Sequence, residues 1–273
     1  MAVDKLVDST QLDAALTATA NAIRSKTGSA VSLPWNLSTG FAAAVESIPA
    51  GGDTSTEDGL VTRTLSQYTN SRVQTIGDYA FLLFPSLVSV NFPSCATIGQ
   101  NAFQNCTSLE NADFPSCTDI GYSAFHGCSA LQSLSFPACT GIGISAFAVC
   151  TALSSVYFPA CTTIGAYAFT GCTALSSVYF PAYTSISSRA FQNCFKLVSL
   201  YLLNSSVCGL AMSNAFASTP IAGYSASAGR YGSIYVPASL LTVYKSSTNW
   251  AYFSIRFVGL TDAQLAELGG ESA

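Results

Sequence analysis

IGISAFAVCTALSSVYFPAC, residues 142–161, returns almost unchanged as IGAYAFTGCTALSSVYFPAY at residues 164–183. The offset from Ile142 to Ile164 also links Phe81, Phe103, Phe125, Phe147, Phe169 and Phe191, each to the next. Six units of the pattern I-G-x-x-A-F-x-x-C-x-x-L-x-x-V-x-F-P-x-C fill the chain from about Ile76 to Ser205. A unit of about 22 residues cannot enclose a core by itself, so neighbours must stack and bury their apolar columns against one another. Counting domains by chain length does not apply to such an array, and its function is expected on the surface that the stack displays.

Within each unit lies the spacing L-x-x-L-x-L, followed three places on by Cys in the first four units and by Tyr183 and Ser205 in the last two. Leu87, Val90, Phe92 and Cys95 meet it, as do Leu131, Leu134, Phe136 and Cys139, and Leu153, Val156, Phe158 and Cys161. This is the leucine-rich repeat signature. It predicts a short strand with Leu, Val and Phe inward and the intervening residues outward. Pro93, Pro115, Pro137, Pro159 and Pro181 follow these strands and end the pairing, because proline has no N–H to donate. The A-F-x-x-C-x-x-L half should return the chain through a single helical or 3₁₀ turn. The expected fold class is therefore an α/β repeat, a leucine-rich repeat solenoid of stacked short parallel strands over 60–205.

The flanks differ from the array. In residues 1–50, Ser9 or Thr10 can cap a helix carrying Leu12, Leu16 and Ile23 on one face, with Gly28 at its end. A second short helix from Ser38 or Thr39 would turn Phe41, Val45 and Ile48 inward, and Pro49 closes it. Two helices of this size bury too little surface to stand alone, so this N-terminal helical module is expected to dock on another chain or to oligomerise through those six residues. AGGDTSTEDG, whose residues 51–59 lack any apolar anchor, reads as a linker. Leu60 to Tyr68 alternates like a first strand. The array becomes irregular after Cys194, and residues 206–273 read as a last repeat and C-terminal cap, with a strand at Ile234–Pro237 and a helix over Leu240–Trp250.

Only 9% of the 273 residues are charged and the net charge is -4, without a Lys/Arg cluster, so nucleic acid and anionic lipid are not expected partners. The N-terminus carries Asp4, Asp8 and Asp13 and lacks a signal-peptide pattern, and no uninterrupted apolar run reaches membrane-spanning length, so membrane insertion is not expected. Eight of the ten cysteines, Cys95 to Cys172, recur at half the repeat offset and so fall into two alternating columns. A place in the rung explains them better than a disulfide scheme or a metal ladder, because small thiols fill turns and there is no C-x-x-C pair. His126 is the sole histidine and sits where other units have Gln104, Ala148, Thr170 and Gln192. With no nucleophile motif, phosphate loop or paired carboxylates, neither an enzyme nor a cofactor is expected.

Two surface columns remain as candidates. The residue between Val and Phe of each strand reads Asn91, Asp113, Ser135, Tyr157, Tyr179 and Tyr201, beside a column of Ser89, Asn111, Ser133, Ser155, Ser177 and Ser199. Stacked tyrosines next to serines suit sugar rings or an extended protein segment. Tyrosine is equally a good strand residue, and an aromatic ladder stabilises its own strands, so both readings stay open. The second column, Tyr79, Asn101, Ser123, Ser145, Tyr167 and Arg189, varies as a recognition edge would and as plain solvent exposure would.

The I-G-x-x-A-F-x-x-C-x-x-L rung followed by x-F-P closely resembles the BspA-like leucine-rich repeat family, common in surface proteins of gut and oral bacteria. IYVPASLLTVYKSSTNWAYF, residues 234–253, resembles the segment that often closes such arrays. LDAALTATANAIRSKTG at 12–28 and FAAAVESI at 41–48 resemble a module of tail-associated proteins of phages and prophages of gut Firmicutes. That second resemblance implies a virion tail component assembled in the host cytoplasm. Its N-terminus would hold other tail proteins, as a homo-oligomer and by analogy a trimer, and its repeats would contact a host-cell glycan or protein. The alternatives are a structural virion role without a receptor, and a bacterial surface adhesion protein.

Overall fold

The computed structural model describes residues 66–182 and 184–270. Each rung contributes one strand to a broad face and a two-residue strand to the opposite face. On the broad face, β1 (Gln67–Thr69), β3 (Ser89–Asn91), β5 (Asn111–Asp113) and β7 (Ser133–Ser135) form one parallel sheet in that order. The same face continues in a second parallel sheet of β9 (Ser155–Tyr157), β11 (Ser177–Phe180), β13 (Ser199–Leu202), β15 (Ser233–Pro237) and β16 (Phe257–Leu260). Opposite runs an unbroken seven-stranded parallel sheet: β2 (Thr75–Ile76), β4 (Thr97–Ile98), β6 (Asp119–Ile120), β8 (Gly141–Ile142), β10 (Thr163–Ile164), β12 (Ser185–Ile186) and β14 (Gly209–Leu210). The solenoid of stacked parallel strands is as the sequence implies; the A-F-x-x-C half closes on i→i−3 hydrogen bonds, as Gln104 to Asn101 and Cys106 to Phe103, and is 3₁₀ at Ser213–Phe216, while the narrow sheet ahead of it is an addition to the sequence reading.

Between the faces stand two phenylalanine columns. Phe81, Phe103, Phe125, Phe147, Phe169, Phe191 and Phe216 stack nearly parallel, with successive ring centroids 4.9, 5.0, 5.2, 5.4, 5.3 and 5.5 Å apart. Those separations are close to the strand spacing of a sheet, so the hydrogen-bonded repeat and the offset-stacked rings fit each other. Phe92, Phe114, Phe136 and Phe158 form the second column and meet the first edge-on, as Phe114 does Phe125 at 6.0 Å and 72°. At the broken point between β7 and β9 the column loosens. Phe136 and Phe158 lie 5.9 Å apart and 27° from parallel, against 5.2 Å and 12° for Phe114 and Phe136, and Leu134 is only half-buried.

The thiols fill the turns between these columns. Cys106, Cys128, Cys150, Cys172 and Cys194 each donate to the carbonyl of a phenylalanine in the preceding rung, from Phe81 to Phe169, at 3.0 to 3.2 Å. Cys95, Cys117, Cys139 and Cys161 donate instead to the carbonyl two residues on. All ten cysteines are free and buried. Burial pushes Cys117, Cys161 and Cys172 up to about 12, so these thiols stay protonated and act as donors.

Close approach of the rungs fixes the I-G pair. A Cβ on Gly143 would lie 2.7 Å from the carbonyl carbon of Gly121, and one on Gly165 would lie 2.6 Å from that of Gly143. After the Gly column the chain turns through two left-handed residues per rung, and their N–H groups reach the next rung, as Asn105 donates to His126 and Val149 to Thr170. Val149 holds φ 62° where neighbouring rungs use Asn105, Gly127, Gly171 and Asn193. A β-branched side chain is the least suited to this region. Val149→Gly is expected to stabilise the fold by about 0.5–1 kcal/mol, because relief of the left-handed strain exceeds the entropy that glycine adds to the unfolded chain. A higher urea midpoint at unchanged slope would show it.

The C-terminal end is closed by α1 (Leu241–Ser246), a 3₁₀ stretch at Trp250–Arg256, β16 and α2 (Asp262–Gly270). Trp250, Tyr244 and Phe253 cover the exposed end of the Phe column. The strand and helix expected at Ile234–Pro237 and Leu240–Trp250 are present, the helix ending earlier, at Ser246. Unanticipated are β16, paired in parallel with β15, and α2. Among the described residues no helix is long and apolar enough to cross a membrane.

Candidate functional site

Parallel pairing places the strand-face residues side by side. Asn91 lies opposite Asp113 and Asp113 opposite Ser135, while Tyr157 lies opposite Tyr179 and Tyr179 opposite Tyr201. The gap between β7 and β9 divides the column into a polar half and an aromatic half. In the polar half Asn91, Asp113 and Ser135 share the surface with Ser89, Asn111 and Ser133, and the Asn91 Oδ1 is buried without a hydrogen-bond partner. The aromatic half is longer than the sequence suggests. Tyr235 on β15 pairs with Tyr201, and their rings stack at 4.6 Å and 11°. Tyr157 to Tyr179 and Tyr179 to Tyr201 follow at 5.6 and 5.5 Å.

These four rings are not equally available. Tyr157 is 40% exposed, whereas Tyr179, Tyr201 and Tyr235 are half-buried. Part of the cover is α2, since the Tyr179 hydroxyl donates to the Leu268 carbonyl at 3.2 Å. Leu265 and Leu268, one helical turn apart, are half-buried while the other helix residues whose burial is described are exposed, so α2 turns one apolar edge inward. Burial, with Tyr235 beside it, raises the Tyr201 phenol above its ordinary value. The strip is therefore aromatic and held on a hydrogen-bonded sheet, a surface suited to contact.

Along the second candidate column, Tyr79, Asn101, Ser123, Ser145, Tyr167 and Arg189 all have φ between 51° and 62°. They are one of the two left-handed positions of the turn. Ser123 is buried. Gln100 donates to the Tyr79 hydroxyl at 3.2 Å, and Arg189 donates to the Tyr167 hydroxyl at 2.6 Å with its guanidinium over that ring.

His126 is half-buried and its Nδ1 lacks a hydrogen-bond partner. No group of three or more metal-ligating side chains converges among the described residues. Leu12, Leu16, Ile23, Phe41, Val45 and Ile48, expected to dock or oligomerise, lie outside the described residues.

Solved structures of similar chains come from several bacteria. A leucine-rich repeat protein from Eubacterium ventriosum is 27% identical, with a TM-score of 0.53 over 57% of this chain and 43% of that one. The T. pallidum leucine-rich repeat protein is 28% identical, with a TM-score of 0.42 over 50% of this chain and 67% of that one. A leucine rich cell surface protein from Faecalibacterium prausnitzii is 20% identical, with a TM-score of 0.42 over 64% of each chain. No curated protein matches the chain. The BspA type leucine rich repeat region matches in six copies, over residues 64–175 and 140–222, which together span more than half of the sequence. The columns, the turns and this match agree: the chain belongs to the BspA type leucine-rich repeat family.

Proposed function

We propose that this chain is an interaction module for adhesion at a bacterial surface, and that it holds a protein partner against the outer face of β9 to β15. The observation that carries this reading is the in-register strip Tyr157, Tyr179, Tyr201 and Tyr235, whose first member is open to solvent. Rigid aromatic side chains on a fixed sheet give contact area at small conformational-entropy cost, which favours binding. The polar half, Asn91, Asp113 and Ser135, lies on the same face and would supply hydrogen bonds at the rim of the contact. Support for the surface setting comes from the family resemblance, since such repeats are common in surface proteins of gut and oral bacteria.

The test is binding of a multimeric display of the chain to intact gut Firmicutes cells, beside a variant carrying Tyr157→Ser, Tyr179→Ser and Tyr201→Ser. Loss of at least about tenfold in bound protein is expected, since removal of aromatic anchors costs about 2 kcal/mol or more. Equal binding by a folded variant would rule the strand face out.

A second reading rests on the motif AIRSKTG at Ala22–Gly28, which favours a phage tail component docked through residues 1–50, with the array turned toward a host cell. Tail and capsid genes beside this one would move the assignment there; their absence would leave the surface protein.

A further inference from the structure

Two departures from the repeat meet at one place. The residue after the cysteine is Thr107, Ser129, Thr151 and Thr173 in four successive rungs, and Phe195 in the next. Phe195 is 41% exposed. Beside it lies an insertion: the step from Phe191 to Ser199 is replaced, one rung on, by the much longer step from Phe216 to the strand partner Ser233. The inserted stretch belongs to ASTPIAGYSASAGRYGS, residues 217–233, rich in Ser, Gly, Ala and Tyr. In repeat proteins such insertions form loops on one face, and this composition is that of adaptable binding loops on rigid scaffolds.

The loop is tied down. Thr219, in the place of the rung cysteine, donates to the Phe216 carbonyl at 2.7 Å, Gly232 donates to Pro220 at 2.7 Å, and the Ser225 hydroxyl donates to Phe195 at 2.8 Å. Ile221 is fully buried beneath it. What this arrangement leaves open is a cleft of about 400 Å³ between Phe195 and the loop residues Ser218, Tyr224 and Ser227. No charged side chain lines it. Tyr224 is 62% exposed, and its ring meets Tyr231 edge-on at 5.5 Å, the latter covered by the Arg256 guanidinium at 3.9 Å.

We infer that this cleft binds a neutral saccharide unit. The volume is within the range of small-ligand sites. Phe195 and Tyr224 offer aromatic surface for the C–H face of a pyranose, and serine hydroxyls both donate and accept, as sugar hydroxyls require. The uncharged lining gives no counter-charge to an acidic sugar or phosphate. An open, hydroxyl-lined wall fits a sugar ring better than a peptide anchor, which seeks a deep apolar hole.

The test titrates the full chain with maltotriose, chitotriose and mannotriose and follows the backbone amides of Gly223 and Ala226 by NMR, with a random short-peptide pool in parallel. Saturable shifts with at least one trisaccharide are expected, weakened about tenfold or more by Phe195→Thr and by Tyr224→Ala. Phe195→Thr restores the residue type of the other rungs, so it keeps the fold. Tyr157→Ser should leave the titration unchanged, which separates this site from the strand face. Absence of shifts with all three sugars, shifts that persist in both cleft variants, or shifts produced by the peptide pool alone would overturn the assignment.

Discussion

Phe125→Ala is expected to destabilise the array by about 3–5 kcal/mol, the usual cost of truncating a fully buried phenylalanine. Phe125 is inaccessible to solvent, lies between Phe103 at 5.0 Å and Phe147 at 5.2 Å, and meets Phe114 and Phe136 edge-on. The cavity cannot close by collapse, because the rungs on either side are held apart by their own backbone hydrogen bonds, among them Phe125 to Ala146 and Phe103 to Ala124. Urea unfolding monitored by far-ultraviolet circular dichroism measures the loss. Nearest-neighbour coupling adds a second signature. A weak rung in the middle of a one-dimensional stack should split the transition or lower its slope, because the two halves lose the interface that couples them. An unchanged midpoint would mean that the ring column contributes little to cohesion.

Trp250→Ala should cost as much, by a different route. Trp250 is 1% exposed, packs on Phe216, Tyr244, Phe253 and Phe257, and donates from Nε1 to the Cys208 carbonyl at 2.7 Å. Truncation removes about 3–5 kcal/mol of packing and leaves a buried carbonyl without its donor, which pushes the total toward the upper end. The Tyr244 hydroxyl still accepts from the Cys208 N–H, so the last rung remains tied on one side. The open end of the column, Phe216, would then meet water. Association beyond that of the parent chain, growing with protein concentration and seen by analytical ultracentrifugation, is expected of the variant, as loss of a cap requires.

What the sequence revealed and what it hid follow from one rule, that counting works while the period holds. Phe and Cys columns could be read because each returns at a fixed step and each is chemically distinctive. The opposite seven-stranded sheet could not, since its strands are two residues long and Asp119-Ile120 or Gly141-Ile142 shows no alternation. Tyrosine, leucine, valine and arginine gave no hint of left-handed turns at Tyr79, Leu83, Val149 and Arg189. At the far end the fixed step fails: β14 pairs with β12 by joining Ser185 to Gly209, which sets the buried Cys208 level with the buried Thr184 and leaves Ser205 out of the cysteine column. Tyr235 was missed for the same reason, because the inserted loop carries it off the fixed step from its partner Tyr201. The strand-face column itself was legible, but its cover was not: nothing in DAQLAELGG, Asp262–Gly270, foretells that Leu268 will meet Tyr179.

The free thiols give the molecule a property that concerns its surroundings more than its shape. Folded, all ten are shut away from solvent, so neither an oxidant nor a reductant outside has a sulfur to attack. The finished protein is accordingly indifferent to whether it rests in a reducing or an oxidising medium. The nascent chain is not, for the same ten sulfurs are then close in sequence and open to mispairing. Folding completed before exposure to oxidant would avoid that mispairing, and an array that propagates rung by rung from neighbours already in place suits that order of events.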